Sequence, residues 1–290
     1  MAKDNRINWG RAVAVTQLGA DVRKKVKTVK QWESAGFVPL PEAEGRMLYP
    51  NPYAGKKLYY HESEVRKATP EEKKAASAEA KRTRDENRER RRAEALRKRK
   101  AEDYRNDCYR QTIGQTYTRE HVRTIVLDTE TTGLDSSIDE ILQLSIIDAD
   151  TGETLFNEYF KPYVPDSWPE AEKVNHITPK MVARKPLFME RIWDIQKVIS
   201  KARTVIGYNV GFDIDFLEQF GISFQHIRNV VDVMQDYEET RINGRWQKLA
   251  HCAASLGFDW SKCQAHDSLG DCLATLHCYN VLEKKELPTP

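Results

Sequence analysis

Between Pro70 and Arg110 the chain carries almost no large apolar side chain, no Gly and no Pro after the first residue. A segment this polar cannot lie inside a core, so the capacity to fold divides between the stretches on its two sides. The segment opens Thr69-Pro70-Glu71-Glu72, with Pro in the first turn and acids beside it, and continues in Ala, Glu, Lys and Arg. That predicts one long solvated helix, supported by acid-first pairs such as Glu86 with Arg90. Its far end is strongly positive at Arg90, Arg91, Arg92, Arg97, Lys98, Arg99 and Lys100. Such a run serves either as a plain charged spacer or as a nucleic-acid contact. The expected organisation is a small module over 1–68, the helix over 69–112 and a larger domain over 113–290.

Charge sharpens that division. Residues 1–110 hold 28 Lys and Arg against 17 Asp and Glu, whereas residues 111–290 hold 18 against 27. A basic front half joined to an acidic back half suggests that one part grips a polyanion. The acidic half would repel phosphate unless cations sit in it. The five cysteines, Cys108, Cys252, Cys263, Cys272 and Cys278, are odd in number and form no CxxC pair, which fits free thiols rather than a disulfide framework or a zinc site. No apolar run approaches a membrane span, and the first residues carry no apolar stretch of a secretory signal. A cytoplasmic protein of a bacterium or its phage is the expectation, with a nuclear address open through the basic helix if the source is eukaryotic.

After Thr112 the pattern alternates between strand and helix. Strands are expected at 123–128, 141–147 and 153–160, then helices near 179–183 and 187–202. A strand at 204–207, a helix at 211–220 and a strand at 229–233 come next, with closing helices near 246–256 and 269–282. Three adjacent strands and then βαβ alternation imply a mixed sheet covered by helices, an α/β domain.

Three places in that domain put acids where a core would not want them. Asp128 and Glu130 end the first apolar strand two residues apart, so both carboxylates project to one side. They precede Thr131-Thr132-Gly133, at a strand's C-terminal end, where α/β sheets tend to hold ligands. Asp213, in Gly207-Tyr208-Asn209-Val210-Gly211-Phe212-Asp213, falls in the first turn of an apolar helix; a favourable helix dipole alone would also explain it. Asp215 lies around that helix on the outer surface. Asp271 begins the last helix, and His266 falls in the loop before it. Hard oxygen ligands of this kind suit Mg²⁺ or Mn²⁺, and a histidine near its ordinary pKa takes a proton at neutral pH.

Together these segments resemble the DnaQ-like 3′→5′ exonucleases, the DEDD superfamily with a histidine in its third motif, over about residues 124–282. Ile125–Leu134 looks like the first motif, Tyr208–Asp213 like the second, and His266 with Asp271 keeps the spacing of the third. Asn175-His176-Ile177-Thr178 resembles a loop that usually reads His-Gly-Ile-Thr, with Asn175 and His176 in the His-Gly positions. Ser268 stands where the family often has alanine. The resemblance implies an RNase H-like mixed sheet flanked by helices, preceded here by a small α+β module and a long charged helix. It implies that Asp128, Glu130, Asp213 and Asp271 hold two divalent ions, Mg²⁺ or Mn²⁺, with His266 as general base. It further implies that Thr131, Thr132, Gly133, Leu134, Asn209 and Phe212 hold the terminal nucleotide, and that nucleoside 5′-monophosphates leave.

The front module is less specific. Lys27–Pro39 reads as a helix ended by Gly36 and is similar to MerR-type winged helices. Residues 56–66 read as a strand entering a helix, and about 50–105 loosely resembles the DNA-binding C-terminal part of the XPA repair protein. Trp32, Tyr49, Tyr53, Tyr59 and Tyr60, among basic residues such as Lys56 and Lys57, would stack on bases or else pack a small core. Nucleic acid is therefore the expected partner, with DNA favoured over RNA on the front module alone, because nothing in the motifs separates a 2′-hydroxyl from a hydrogen. An RNA 3′→5′ exonuclease and a non-catalytic nucleic-acid adaptor are the competing readings. Deleting residues 1–110 is expected to leave chemistry on short strands and weaken binding to long DNA.

Overall fold

Thr69 starts the long helix as its sequence requires: the hydroxyl accepts from the Glu72 backbone N–H (3.2 Å) while the Glu72 carboxylate accepts from the Thr69 N–H (2.8 Å), a reciprocal cap. Arg66 clamps that same carboxylate through both guanidinium ends (2.9 and 2.7 Å). The computed structural model describes residues 14–51, 54–112, 123–237 and 240–283, and these fall into two compact units that divide at Arg91/Arg92, inside the helix Pro70–Thr112. Along its exposed surface Glu86 pairs with Arg82 and Arg90 with Asn87, rather than with each other.

The first unit contains α1 (Ala20–Lys24), β1 (Val26–Thr28), α2 (Val29–Ser34), β2 (Phe37–Pro39), β3 (Arg46–Leu48), β4 (Lys57–His61) and β5 (Val65–Lys67), and the helix numbered α3 starts in it. β1, β4 and β3 form one antiparallel sheet, and β2 pairs with β5 in another. The module is α+β, as expected, and Gly36 ends α2 with φ 84°. Where a strand was expected to enter a helix, His61 caps a single 3₁₀ turn, Glu62–Glu64, and the chain returns to extended pairing at Val65. One turn is too short to nucleate a helix against that pairing.

In the second unit the sheet contains β6 (Arg123–Thr131), β7 (Ile141–Asp148), β8 (Thr154–Tyr159), β9 (Ala202–Gly207) and β10 (Asn229–Asp232) in the order β10-β9-β6-β7-β8. β7 runs antiparallel to both β6 and β8, and β9 and β10 run parallel to β6. This is the mixed sheet that the strand and helix pattern implies. Two apolar layers cover it. One contains Ile125, Leu127 and Leu144 of the strands with the end of α3 (Tyr104, Cys108), α6 (Ile192–Ile199) and α7 (Val210–Gln219). The other sets Val126, Ile147 and Ile206 against α8 (Val233–Asp236), α9 (Leu249–Ser255) and α10 (Ser268–Leu282). Two short helices, α4 (Pro169–Asn175) and α5 (Pro179–Val182), come after β8, and a two-stranded ribbon, β11 (Arg241–Ile242) with β12 (Arg245–Trp246), comes after α8. α4 and the ribbon are elements the sequence pattern did not reveal.

Candidate active site

Alternation along β6 brings Asp128 and Glu130 to one side of the strand's C-terminal end, with Thr129 between them facing away. Thr129 is the hinge-pin of the site. Its backbone N–H and its hydroxyl both donate to Oδ1 of Asp213 (2.8 and 2.6 Å), which docks the first turn of α7 beside the strand. Asn209 precedes that turn in the left-handed conformation (φ 62°), and its N–H donates to Asp232 at the end of β10. α10 enters from the other layer. Asp267 caps it, accepting from Leu269 and Gly270, and its second oxygen accepts from the Tyr159 hydroxyl and the Gln143 amide. Ser268 is fully buried with its hydroxyl 2.7 Å from that of Ser145, so the expected small-residue packing is also a hydrogen bond.

Asp271 lies one turn into the helix, and its Oδ1 accepts from the His266 N–H (3.3 Å). His266 occupies the loop in the left-handed region (φ 62°) and is exposed as a whole, its ring only partly buried. Ligand atoms of Glu130, His266 and Asp271 lie within 4.8 Å of one another. Asp128 and Asp213 do not join that tight group, but they belong to the same electrostatic cluster.

Burial and mutual repulsion dominate that cluster. Burial first, then Asp213, Asp271 and Glu130, push the Asp128 carboxyl well above its usual range. Burial and Asp271 raise Glu130 to about 9 against a hydrogen bond from Asn175. Burial raises Asp213 to about 7 although the two Thr129 hydrogen bonds oppose it, and burial raises Asp271 to about 7. Four carboxyls that push each other's protons back on make a poor core and a good cation cage: hard oxygen donors at a converging point, with charge that two divalent ions would neutralise. The donor set therefore fits divalent metal. His266 goes the other way: burial lowers its pKa, helped by Lys248 and His176, so the neutral imidazole is favoured.

The residues expected to hold a terminal nucleotide lie around the same strand end. Thr131 and Thr132 are buried, and Thr131 donates to the Gly133 carbonyl (2.6 Å). Leu134 stands 87% exposed on the loop after β6, an apolar side chain with nothing to cover it among the described residues. Asn209 is exposed at the head of α7, and Phe212 packs on Phe216 with one side open (ring centroids 4.8 Å).

Several contributors lie outside the expected site residues, although the loop Asn175-His176 was noted in the sequence. Asn175 is buried; its amide donates to the Thr131 carbonyl (3.1 Å) and its oxygen accepts from Ile177. His176 beside it adopts φ 59°, the conformation a glycine takes most easily. Tyr159, Gln143, Asp267 and Asp232 were missed as well, because each acts by holding another group rather than by a motif of its own.

The front-module expectation needs correction at Trp32. It is 6% exposed, and its indole N–H donates to the Tyr60 carbonyl (2.9 Å) with Phe37 against its edge. Trp32, Tyr59 and Tyr60 are core residues, unavailable for stacking, because a module this small needs its aromatics inside. Tyr49 is partly exposed under the Lys56 ammonium, Lys57 is exposed, and Tyr53 lies outside the described residues. Of the basic helix residues, Arg90, Arg91, Arg92, Lys98, Arg99 and Lys100 are exposed, while Arg97 is tied to Asp139 (2.9 Å).

The family model described as Exonuclease matches residues 125–279. A DNA polymerase III subunit epsilon of Treponema pallidum is 34% identical over 100 residues, covering 34% of this chain and 46% of that protein. The Pasteurella multocida subunit of the same name is 32% identical over 163 residues, covering 51% and 63%, and that of Rickettsia typhi 30% identical over 172, covering 56% and 74%. The chain thus spans about half to three quarters of the length of these relatives. Among solved structures, a zinc-bound E. coli ExoI–ssDNA complex is similar at 24% identity and TM-score 0.47, covering 57% of this chain and 41% of that one.

Proposed function

This chain belongs to the DnaQ-like exonuclease family, and from that premise we propose that it removes nucleotides one at a time from the 3′ end of a DNA strand as nucleoside 5′-monophosphates. The observation that carries the proposal is the convergence of Glu130, His266 and Asp271 ligand atoms within 4.8 Å inside a cluster that Asp128 and Asp213 complete electrostatically. Asp128, Glu130, Asp213 and Asp271 would hold two divalent ions, Mg²⁺ or Mn²⁺. When bound, such ions lower the pKa of water and stabilise charge on the phosphate and on the leaving 3′-oxygen.

The chain's own residues do the rest. The His266 ring, kept neutral by its surroundings, accepts the proton of the attacking water. Oxygen adds to phosphorus, the P–O3′ bond breaks, and the departing 3′-oxygen takes a proton from solvent, which leaves a 3′-hydroxyl on the shortened strand. Thr131, Thr132 and Gly133 shape the pocket for the last nucleotide, Leu134 wedges beside its base, and Asn209 and Phe212 close the same end. DNA is the substrate this reading favours, in keeping with the name of the epsilon-subunit relatives. The exposed arginines and lysines of α3, with Lys56 and Lys57, supply non-specific grip on the phosphate backbone. A cytoplasmic setting in a bacterium or phage accords with this, and no helix among the described residues is long and apolar enough to cross a membrane.

The test is a time course on 3′-labelled DNA and RNA of one sequence, with Mg²⁺ or with EDTA. Mononucleotide release from DNA that EDTA stops, and that Asp213→Ala lowers by about a thousandfold or more while the protein stays folded, is the expected result. Equal rates in wild type and Asp213→Ala would sink the assignment.

A further inference from the structure

The ribbon between α8 and α9 is the part of the second unit least explained by folding. Its turn, Asn243-Gly244, has both residues at positive φ (52° and 74°), the mirror-image turn that matches the twist of a hairpin. Cross-strand register sets Arg241 opposite Trp246 and Ile242 opposite Arg245, so one face carries an arginine with an indole and the other an arginine with an isoleucine. Arg241 lies over the Trp246 ring, 4.9 Å from its centroid. Trp246 is 49% exposed and Ile242 56%. From Thr240 to Lys248 the sequence holds Arg241, Arg245 and Lys248 and no acid.

Two residues per strand cannot hold a ribbon together in water, so its base must be anchored. Thr240 is fully buried, donating to the carbonyls of Met234 (2.6 Å) and Tyr237 (2.7 Å), and its own carbonyl accepts from Gln247 (2.9 Å). The Gln247 carbonyl accepts from the Tyr208 hydroxyl (2.7 Å). Tyr208 immediately precedes Asn209, and Lys248 is near enough to His266 to bias its charge. The ribbon is thus fixed at the rim of the carboxylate site while its aromatic and cationic side chains stay in solvent.

We propose that the ribbon 240–247 is a strand-holding arm: Trp246 stacks on a base of single-stranded nucleic acid entering the site, and Arg241 and Arg245 contact its phosphates. A π-face tolerates every base, and arginines beside it neutralise the backbone without reading sequence, which is the chemistry an enzyme working down a strand requires. The acidic charge of this half makes such an arm useful, since it gives the polyanion a cationic foothold beside a carboxylate cluster. This deepens the nuclease reading of the same site and rests on it.

The experiment measures binding of full-length protein to fluorescein-labelled oligodeoxythymidine and oligouridine of about twelve nucleotides in EDTA, by anisotropy across a salt series. Trp246→Ala is expected to weaken binding about tenfold, with Trp246→Phe recovering most of the loss. Arg241→Gln with Arg245→Gln should lower the salt slope by about 1.4, about 0.7 for each phosphate contact released. Affinity in Trp246→Ala equal to wild type, or an unchanged slope in the double variant, overturns the arm. Loss confined to oligodeoxythymidine or shared by both strands tells DNA from RNA, and either supports it. A wild-type protein that binds the strand yet releases no mononucleotide in Mg²⁺ would defeat the nuclease reading and leave the arm standing.

Discussion

At the scale of single residues, the carboxyl cluster makes a prediction about stability. Glu130 titrates at about 9 in the fold, and Asp213 and Asp271 at about 7, all raised by burial first. A carboxyl whose folded pKa is raised stabilises the fold fully below its unfolded value, and that contribution is lost as pH rises through the folded one. Protein in EDTA should therefore gain stability as pH falls from 9 to 7. His266, lowered in the fold, opposes this only below about 6.5, where its unfolded form begins to bind protons. One unit of differential protonation is worth about 1.4 kcal/mol, so the melting temperature should rise a few degrees across that window. Saturating Mg²⁺ should reverse the trend, since deprotonated oxygens are what a cation needs. A melting temperature that fell from pH 9 to 7 in EDTA would contradict a cluster of buried, mutually repelling carboxyls. The acids themselves were legible from sequence, because spacing along a strand and position in a helix's first turn fix direction. Trp32 was not, since an aromatic among lysines has the same local pattern whether it stacks outside or fills a core; only the carbonyl of Tyr60, far along the chain, decides it.

At the scale of elements, the loop after β6 shows how α3 enters the site without touching it. Asp139 accepts from Arg97 (2.9 Å), from the Asp135 N–H (3.1 Å) and from Thr132 Oγ1 (3.3 Å), and its carbonyl accepts from Arg105 (2.6 Å). A Cβ at Gly133 would meet Oδ2 of Asp139 at 2.3 Å, so any larger residue must push that carboxylate out of its hydrogen bonds. Gly133→Ala is expected to cost about 1–3 kcal/mol through forced repacking. Because it displaces Thr132 and Leu134, it should raise KM for an oligonucleotide more than it lowers kcat. Arg97→Ala, at a half-exposed pair, should cost about 1 kcal/mol or less. Kinetics of Gly133→Ala matching wild type would show that the loop does not hold substrate. The strands of the sheet were readable because their apolar runs are long and bounded. The ribbon was missed although Asn243-Gly244 is a strong hairpin signal, because Trp246 was absorbed into the apolar spacing of α9. α4 was missed because its seven residues expose most of what they carry.

At the scale of the whole molecule, the second compact unit begins at Arg92, not after the helix. Composition placed the end of α3 in a solvated linker, since its last turns look as charged as its first. Yet Tyr104, Arg105 and Cys108 are buried there: Tyr104 stacks on Tyr163 (4.6 Å) and meets Phe220 edge-on (5.9 Å), and the Arg105 guanidinium lies over the Phe220 ring (5.0 Å). Gly221 has φ 83° and sits so close that a Cβ would come 2.8 Å from Tyr109 Cα. Sparse apolar residues spaced by three or four along one stripe suffice for a buried seam, and a mean over forty positions hides them. On this packing, a chain lacking residues 1–110 is predicted to lose stability, against the expectation that it keeps its chemistry. Removing Tyr104 and Cys108 takes away two fully buried apolar surfaces worth about 1.5–3 kcal/mol for a large side chain, against a total stability of about 5–15 kcal/mol. A chain beginning at Arg92 should instead fold, melt as one cooperative unit and release mononucleotides from short strands. It should bind long DNA more weakly than the full chain and with a flatter salt dependence, since Lys56, Lys57, Arg90 and Arg91 are gone. Comparing chains that start at residues 92 and 111 by thermal melting and by mononucleotide release checks both halves of this. Equal stability of the two would show that the last turns of α3 contribute nothing to the domain they cover.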